Sequence, residues 1–518
     1  MATSSHVLSI DLGTSGPKVA LVSATGEVRG RAFAPVDLLL LPDGGAEQDP
    51  EAWWGAIRTA CREVIGMDLV PADQIHAVSV TTQWSGTVAV DADGAPIGNA
   101  IIWMDSRGAP YIRDLIGGSI RIDGYDPRKL RRWIARTGGA PSRSGKDSLA
   151  HILYLRHERP DIYHRAALFL EPKDFINLRL TGVAAASFDS VALHWITDNT
   201  DPAAVAYDDD LLELAGLRRS QVPSLHAAVE VIGDVTEGAA NELGVSAGIP
   251  VIAGTPDLHS AAIGAGTTED LAAHLYLGTS SWLTCHVPFK KTDIIHSIGT
   301  LPAAIPGRFL AANEQETAGK ALDWLADLFY PDRSDHAAVY AEMNRIAAAV
   351  PAGSGGVIFT PWLYGERTPV EDSTLRGGFF NQGLDTGRDE MIRAVFEGVA
   401  YNTRWLLGHV EKFTGSRLDP IVMVGGGAQS ALWCQIHADV LGRTIRQAED
   451  PIMVNVRGAG LLAHVALGHL TWADVPGLVP MEASFTPDST RTAVYDRLYD
   501  AFRRIHKGTR RTYRRLNR

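Results

Sequence analysis

Two turns of nearly the same composition, Gly13-Thr14-Ser15-Gly16 and Gly278-Thr279-Ser280-Ser281, each lie between β-rich apolar runs. A glycine-rich turn lets backbone N–H groups converge on one point with no Cβ in the way, and such a point suits an oxygen of a polyphosphate. The hydroxyls of Thr14, Ser15, Thr279 and Ser280 add donors, and two copies facing one cleft could grip opposite ends of a triphosphate. Asp11 ends the strand that enters the first turn, where a carboxylate can hold Mg²⁺ or its water shell against the phosphates. Asp257 follows Gly254-Thr255-Pro256 at the end of another apolar strand. Pro256 biases Thr255 to an extended conformation, which fixes the carboxylate at a cleft edge. A carboxylate there can accept a hydroxyl proton while metal and amides neutralise the group in transfer.

A third glycine segment, Gly425-Gly426-Gly427, joins an apolar run to a helix that Ser430 can cap, and backbone at such a junction can approach a flat base or a ribose. It is not a dinucleotide fingerprint, because GGGAQS lacks the third glycine of GxGxxG. There is no GxxxxGK[ST] loop either, so a nucleotide enzyme here must use another fold.

The elements that must position these residues can be traced along the chain. Val7–Asp11, Lys18–Val22 and Val28–Phe33 are predicted as three strands joined by tight turns, an antiparallel start. Asp49-Pro50-Glu51 supplies an N-cap, a proline in the first turn and an acidic residue for a helix carrying Trp53, Trp54 and Ile57. A strand follows at Ile75–Val80, and strands then alternate with helices, as α/β architecture requires. Apolar residues at Ile392, Val395, Phe396, Val399, Leu406, Leu407 and Val410 predict a long helix over 391–413, followed by a buried strand at Ile421–Val424. The two Leu-Gly-Thr-Ser copies lie half a chain apart, each at the start of a plausible domain, so duplication of one domain explains them. The expected division is 1–254, 255–480 and a basic helical tail at 481–518.

The chain has 518 residues, 45% hydrophobic and 21% charged, and 51 glycines. That is about three times the usual domain size, with room for at least two cores. No apolar run approaches the roughly 18 residues of a membrane span, and no secretory signal opens the chain, so a cytoplasmic protein is expected. Cys61, Cys285 and Cys434 are too far apart for a disulfide framework or a CxxC pair, and the 17 histidines form no HExxH. A formal charge of -12 argues against a general nucleic-acid binder. Eight of the 48 basic residues crowd into 503–518, leaving 40 against 60 acidic ones elsewhere. A solvated or frayed terminal helix accounts for that end.

Together the segments DLGTSGPKVALVSATGEV, EQDPEAWW, GNAIIWMDSRG, PKDFINLRLTG, GTPDLHSAAIGAG, LYLGTSSWL, GERTPVEDSTLRGGFFN and VGGGAQSALWCQIHADVLGR resemble the FGGY carbohydrate kinases, and among them the xylulokinase branch, from about residue 7 to 470. The resemblance implies an α/β fold of two ribonuclease-H-like domains, the sugar bound mainly by the first and ATP mainly by the second. Asp257 then corresponds to the catalytic base and Asp11 to the Mg²⁺-associated carboxylate. Gly13, Thr14, Ser15, Gly278, Thr279 and Ser280 correspond to the phosphate turns, and Gly319, Gly426, Gly427 and Ser430 lie near the nucleoside. Gln83, Trp84, Ser85, Trp103, Asp105 and Arg107 fall in the polyol-contacting segments. The implied partner is a small sugar or polyol, with no nucleic acid and no membrane, and a homodimer is left open. Two segments depart from the pattern. Xylulokinases carry Gln-Met-His-Gly where this chain has Gln83-Trp84-Ser85-Gly86, and VNVRGAGLLAHVALG lacks the usual acidic residue and Gly-Ala-Leu-Gly. A primary-hydroxyl kinase for a small ketose or polyol is the expected activity, with a catalytically silent sugar-binding relative as the alternative.

Overall fold

The structure is a computed structural model that describes residues 5–122 and 124–517. The first half is built on β1 (His6–Gly13), β2 (Gly16–Ser23) and β3 (Val28–Phe33), helix α1 (Pro50–Gly66), β4 (Ile75–Thr82), β5 (Val231–Asp234), β6 (Pro250–Ile252) and helix α2 (Asp257–Gly264). The sheet order is β5-β6-β4-β1-β2-β3, with β1 antiparallel to β2 and parallel to β4. The second half holds β7 (Ala273–Leu277), β8 (Ser281–Val287), β9 (Thr292–Asp293), β10 (Ile298–Pro302) and β11 (Phe309–Ala312), helix α3 (Arg388–Thr414), β12 (Ile421–Val424), helix α4 (Ala431–Leu441), β13 (Ile445–Ala448), helix α5 (Val454–Ala466), β14 (Met481–Phe485) and helix α6 (Thr492–Leu516). Its sheet runs β9-β10-β11-β8-β7-β12-β13-β14.

The two sheets share one plan. The run β3-β2-β1-β4-β6 matches β11-β8-β7-β12-β13 in order and in the parallel or antiparallel sense of every pairing. This is the duplication anticipated from the repeated turn, and the fold class is the expected one.

Each sheet is covered on both faces, so its central strands are buried without alternation, as β1 shows from His6 through Leu12. Helix α1 starts where Asp49 accepts a hydrogen bond from Glu51 N (2.9 Å), and it buries Trp53, Trp54, Ile57, Cys61 and Val64. Each such side chain contributes about 1.5–3 kcal/mol. On the opposite faces the halves exchange helices. Leu258, Ala261 and Ala262 of α2 pack with Trp282, Leu310, Val422 and Val424 of the second sheet. Val456 of α5 packs with Ala20 and Val22 of the first sheet. The two helices cross in backbone contact: a Cβ at Gly458 would meet the Ser260 carbonyl, and one at Gly264 would meet that of Val454. Both helices follow a parallel strand, so both begin at the carboxyl ends of the sheets, where open α/β sheets form their crevice.

The basic C-terminus is neither frayed nor solvated all round. Helix α6 buries Tyr495, Leu498, Phe502 and His506, and the Tyr495 hydroxyl donates to Glu397 Oε1 (3.0 Å) inside the second half. Its charges sit on the outer face, where Arg514 pairs with Asp372 (3.1 Å) and Arg503 lies 4.3 Å over the Trp405 ring.

Candidate active site

A cavity of about 500 Å³ lies between the halves. Its wall includes Asp11, Gly13, Thr14, Ser15 and Lys18 from the first hairpin, Thr279 and Ser280 from the second, and Gln83, Trp84, Ser85, Trp103 and Asp257. Eleven of the residues singled out in the sequence, all of these but Lys18, therefore meet around one space.

The hairpins that carry the turns are not superimposable. In the first, Gly13 pairs with Gly16, leaving a two-residue turn, whereas in the second Leu277 pairs with Ser281 and the turn has three residues. The cause is Gly16, whose φ of +136° is strained for any side chain and where a Cβ would run into the Ala34 carbonyl. Ser281 cannot follow it. The first turn's tip is fixed from behind: the Thr14 hydroxyl donates to Gln83 Oε1 and accepts from Trp103 Nε1 (both 3.0 Å), while Gln48 Nε2 donates to the Thr14 carbonyl (2.8 Å). That hydroxyl is thus spent on the indole and amide beside it.

The register of the hairpin sets Lys18 opposite Asp11, and the two form an ion pair at 3.1 Å. Asp11's other oxygen, Oδ1, is buried without a hydrogen-bond partner. The Asp11 charge raises the Lys18 pKa despite burial. Asp257, the first residue of α2, accepts a hydrogen bond from Leu258 N (2.8 Å). Burial, reinforced by the charge of Asp11, pushes its carboxyl up to about 8. Two carboxylates in one crevice thus occupy different electrostatic states, one paired with a cation and one disposed to hold a proton.

Across the cavity, Trp84 donates from Nε1 to the Ser190 carbonyl (2.9 Å) and meets His259 of α2 edge-on at 5.3 Å. Ser85, with φ of +61°, donates its hydroxyl to the Lys146 carbonyl (2.7 Å). It anchors the next segment rather than extending a free hydroxyl into the space. Lys146 and Asp147 follow in the wall. Burial lowers the Lys146 pKa, and its ammonium lies 3.4 Å from Glu316 of the second half. Asp147 accepts from Ser142 N (2.6 Å) and Trp195 Nε1 (2.8 Å).

Asp105 and Arg107 do not reach the cavity. The Asp105 carboxylate is fully buried and accepts from Ala46 N (2.9 Å) and from Arg107 N, Nε and Nη2 (2.9, 2.9 and 2.6 Å). Arg107 continues to Glu47 (2.6 Å) and the Tyr154 hydroxyl (2.9 Å). The pair fastens the loop that presents Trp103, and has no capacity left for a ligand. The nucleoside-side positions also lie outside the wall. Gly278 and Gly319 are joined by a hydrogen bond from Gly319 N (2.7 Å), Gly426 is exposed, Gly427 packs on Leu277 and Trp433, and Ser430 caps α4 at Trp433 N (3.0 Å) while donating to Asn344.

Sequence reasoning missed Lys18, Lys146, Asp147, Trp195, Arg367 and Asn455, all of which line the cavity. Lys18 had a signal: closing the hairpin on Gly13 and Gly16 puts it opposite Asp11. The others are assembled by long-range packing.

Two duplicated α/β halves closing on phosphate-type turns and a pair of carboxylates define a phosphotransferase-like site. Comparison with known proteins agrees: residues 6–264 match the N-terminal domain, and residues 273–467 the C-terminal domain, of the FGGY family of carbohydrate kinases. The chain belongs to that family. It is 30% identical to a xylulose kinase of Escherichia coli, over 96% of this chain and 98% of that protein. It is 27% identical to a xylulose kinase of Staphylococcus epidermidis, over 97% of each. The solved structure of a xylulose kinase from Rhodospirillum rubrum superimposes with a TM-score of 0.83 at 27% identity, covering 98% of this chain and 100% of that one. The protein is a carbohydrate kinase, using ATP to phosphorylate a sugar.

Proposed function

We propose that the substrate is a small ketose or polyol related to xylulose, phosphorylated on a primary hydroxyl with Asp257 as general base. The observation that carries this reading is the setting of Asp257. It is a carboxylate held near a pKa of 8 in the cavity wall that also holds both phosphate-type turns and the indoles of Trp84 and Trp103. Asp257 takes the hydroxyl proton as the sugar oxygen attacks the γ-phosphorus; the bond from that phosphorus to the bridging oxygen breaks, and ADP leaves with the electron pair. The turns hold the phosphate chain through backbone N–H groups, and Trp103 covers the carbon face of the sugar. The orphaned Asp11 Oδ1 fits a hydrated cation, so Asp11 would hold Mg²⁺, whose charge would offset that of the phosphates. Closure of the halves keeps water from competing with the sugar hydroxyl.

The chain's xylulose-kinase relatives make xylulose the reference substrate. Trp84 and Ser85 stand where that branch carries Met and His. The indole takes up pocket volume, and the Ser85 hydroxyl is already engaged by Lys146. These two features favour another short ketose or an alditol over xylulose. Sugar-dependent ADP release across pentuloses, hexuloses and alditols tests the reading. A wild type that prefers xylulose to every alternative returns the specificity to that of the relatives, and one that releases no ADP with any of them removes the proposed substrate class.

A further inference from the structure

Three cationic side chains line the cavity among the described residues, and each already has an acidic partner. Lys18 pairs with Asp11 (3.1 Å), Lys146 with Glu316 (3.4 Å), and Arg367 with both Glu314 and Glu316. The wall also holds Asp257, Asp147 and Glu371. A phosphoryl group crossing this space therefore meets cations whose charge is largely spoken for. Neutral donors must take up part of the charge that develops on its oxygens.

One neutral donor is present without a protein partner for its carbonyl end. Asn455 lies in the first turn of α5 and lines the cavity, its residue only 6% exposed and its Oδ1 without a hydrogen-bond partner. Because that oxygen holds no protein donor, the amide can turn end for end and put Nδ2 in its place without losing a protein hydrogen bond there. Its backbone is fixed: the Asn455 carbonyl accepts from Ser260 Oγ of α2 (2.8 Å), so the turn is tied to the helix that Asp257 begins. Helix α5 has 13 residues and no side-chain cap, because its N-cap is Met453. Its first-turn N–H groups and partial positive charge thus lie beside the same amide.

We propose that Asn455, together with the uncapped first turn of α5, binds the phosphoryl group in flight. The Asn455 amide rotates to donate from Nδ2 to a non-bridging oxygen. No proton moves on this residue; it supplies a hydrogen bond that strengthens as charge builds on that oxygen. The proposal rests on the kinase reading with Asp257 as base. A carboxylate at 455 would add negative charge beside the transferring group, whereas an amide of the same shape presents a donor.

The experiment compares wild type, Asn455→Ala and the isosteric Asn455→Asp, using the preferred sugar found in the ADP-release screen. Steady-state kinetics are paired with calorimetry of Mg-ADP alone and of Mg-ADP with aluminium fluoride and sugar, a mimic of the phosphoryl group in transfer. Asn455→Ala is expected to lose about 10²-fold in kcat and a similar factor in affinity for the aluminium fluoride complex, with Mg-ADP affinity and sugar KM changed less than about threefold. Asn455→Asp is expected to fall below Asn455→Ala in both. Wild-type turnover and wild-type aluminium fluoride binding in Asn455→Ala would overturn the proposal. So would an Asn455→Asp enzyme as active as wild type, which would mark the position as one serving the metal's water shell. A wild type without sugar-dependent ADP release defeats the kinase reading itself, a result distinct from either.

Discussion

Replacing Asp257 by Asn should make the protein more stable and nearly inactive, and the two effects share one cause. The carboxyl titrates near 3.8 in an unfolded chain and is pushed up to about 8 in the fold. Because the folded value is raised, the folded state binds the proton more tightly; that contribution to stability is complete below about pH 4 and is lost as pH rises toward 8. At pH 7 the span from 3.8 to 7, at about 1.36 kcal/mol per pH unit, amounts to about 4 kcal/mol, and at pH 4.5 to about 1 kcal/mol. Asn has the same shape and does not titrate, so Asp257→Asn should gain stability over wild type by these amounts. For 518 residues unfolding with about 2.1 cal/mol/K per residue, the gain at pH 7 corresponds to about 4 °C in Tm, shrinking to about 1 °C at pH 4.5. Turnover should fall by about 10²–10⁴, since Asn cannot accept the hydroxyl proton. The kcat/KM of wild type should rise with pH to a midpoint near 8. Differential scanning fluorimetry from pH 4.5 to 8, with ADP release at the same pH values, reads all three quantities. A Tm difference that does not grow with pH would show that Asp257 is not held protonated by its surroundings, and near-normal turnover would remove it from the role of base.

Other outcomes follow from particular contacts. Gly16→Val forces a side chain against the Ala34 carbonyl at a φ of +136°, so the first turn should open and ATP affinity measured by calorimetry should drop at least tenfold; unchanged affinity refutes the role given to that turn. Trp84→Met with Ser85→His should shift kcat/KM toward xylulose, relative to the preferred sugar, by about tenfold or more, because one or two pocket contacts are worth roughly 1–3 kcal/mol. Arg107→Leu leaves the buried Asp105 charge unpaired and should cost about 3–5 kcal/mol in chemical denaturation, while the folded fraction keeps wild-type sugar KM; a large rise in KM would mean the pair touches the sugar after all.

Much of this was legible in the residues themselves. The strands at Val7–Asp11 and Ile421–Val424, the Asp49-Pro50 helix start and the Ser430 cap are local events, and each is found in the structure because neighbours in sequence decide it. What escaped was set at a distance. Lys146 meets Glu316 across 170 positions, and the Ser85 hydroxyl finds the Lys146 carbonyl across 61. Asp105 and Arg107 show the converse error. They sit close in sequence to Trp103, which does line the cavity, but the loop turns their side chains inward, and a buried carboxylate with four donors from protein has nothing left to offer a sugar.

The repeat itself explains why the site lies where it does. Each copy of the domain ends its parallel run with a strand followed by a helix, and the exchange of these helices between the halves brings both helix starts into one crevice. The first starts with Asp257, the second with Val454 and Asn455. An acid thus starts one helix, and an amide lies in the first turn of the other. The acid can hold the proton it must take from the sugar, and the amide can meet the negative charge that the transfer creates.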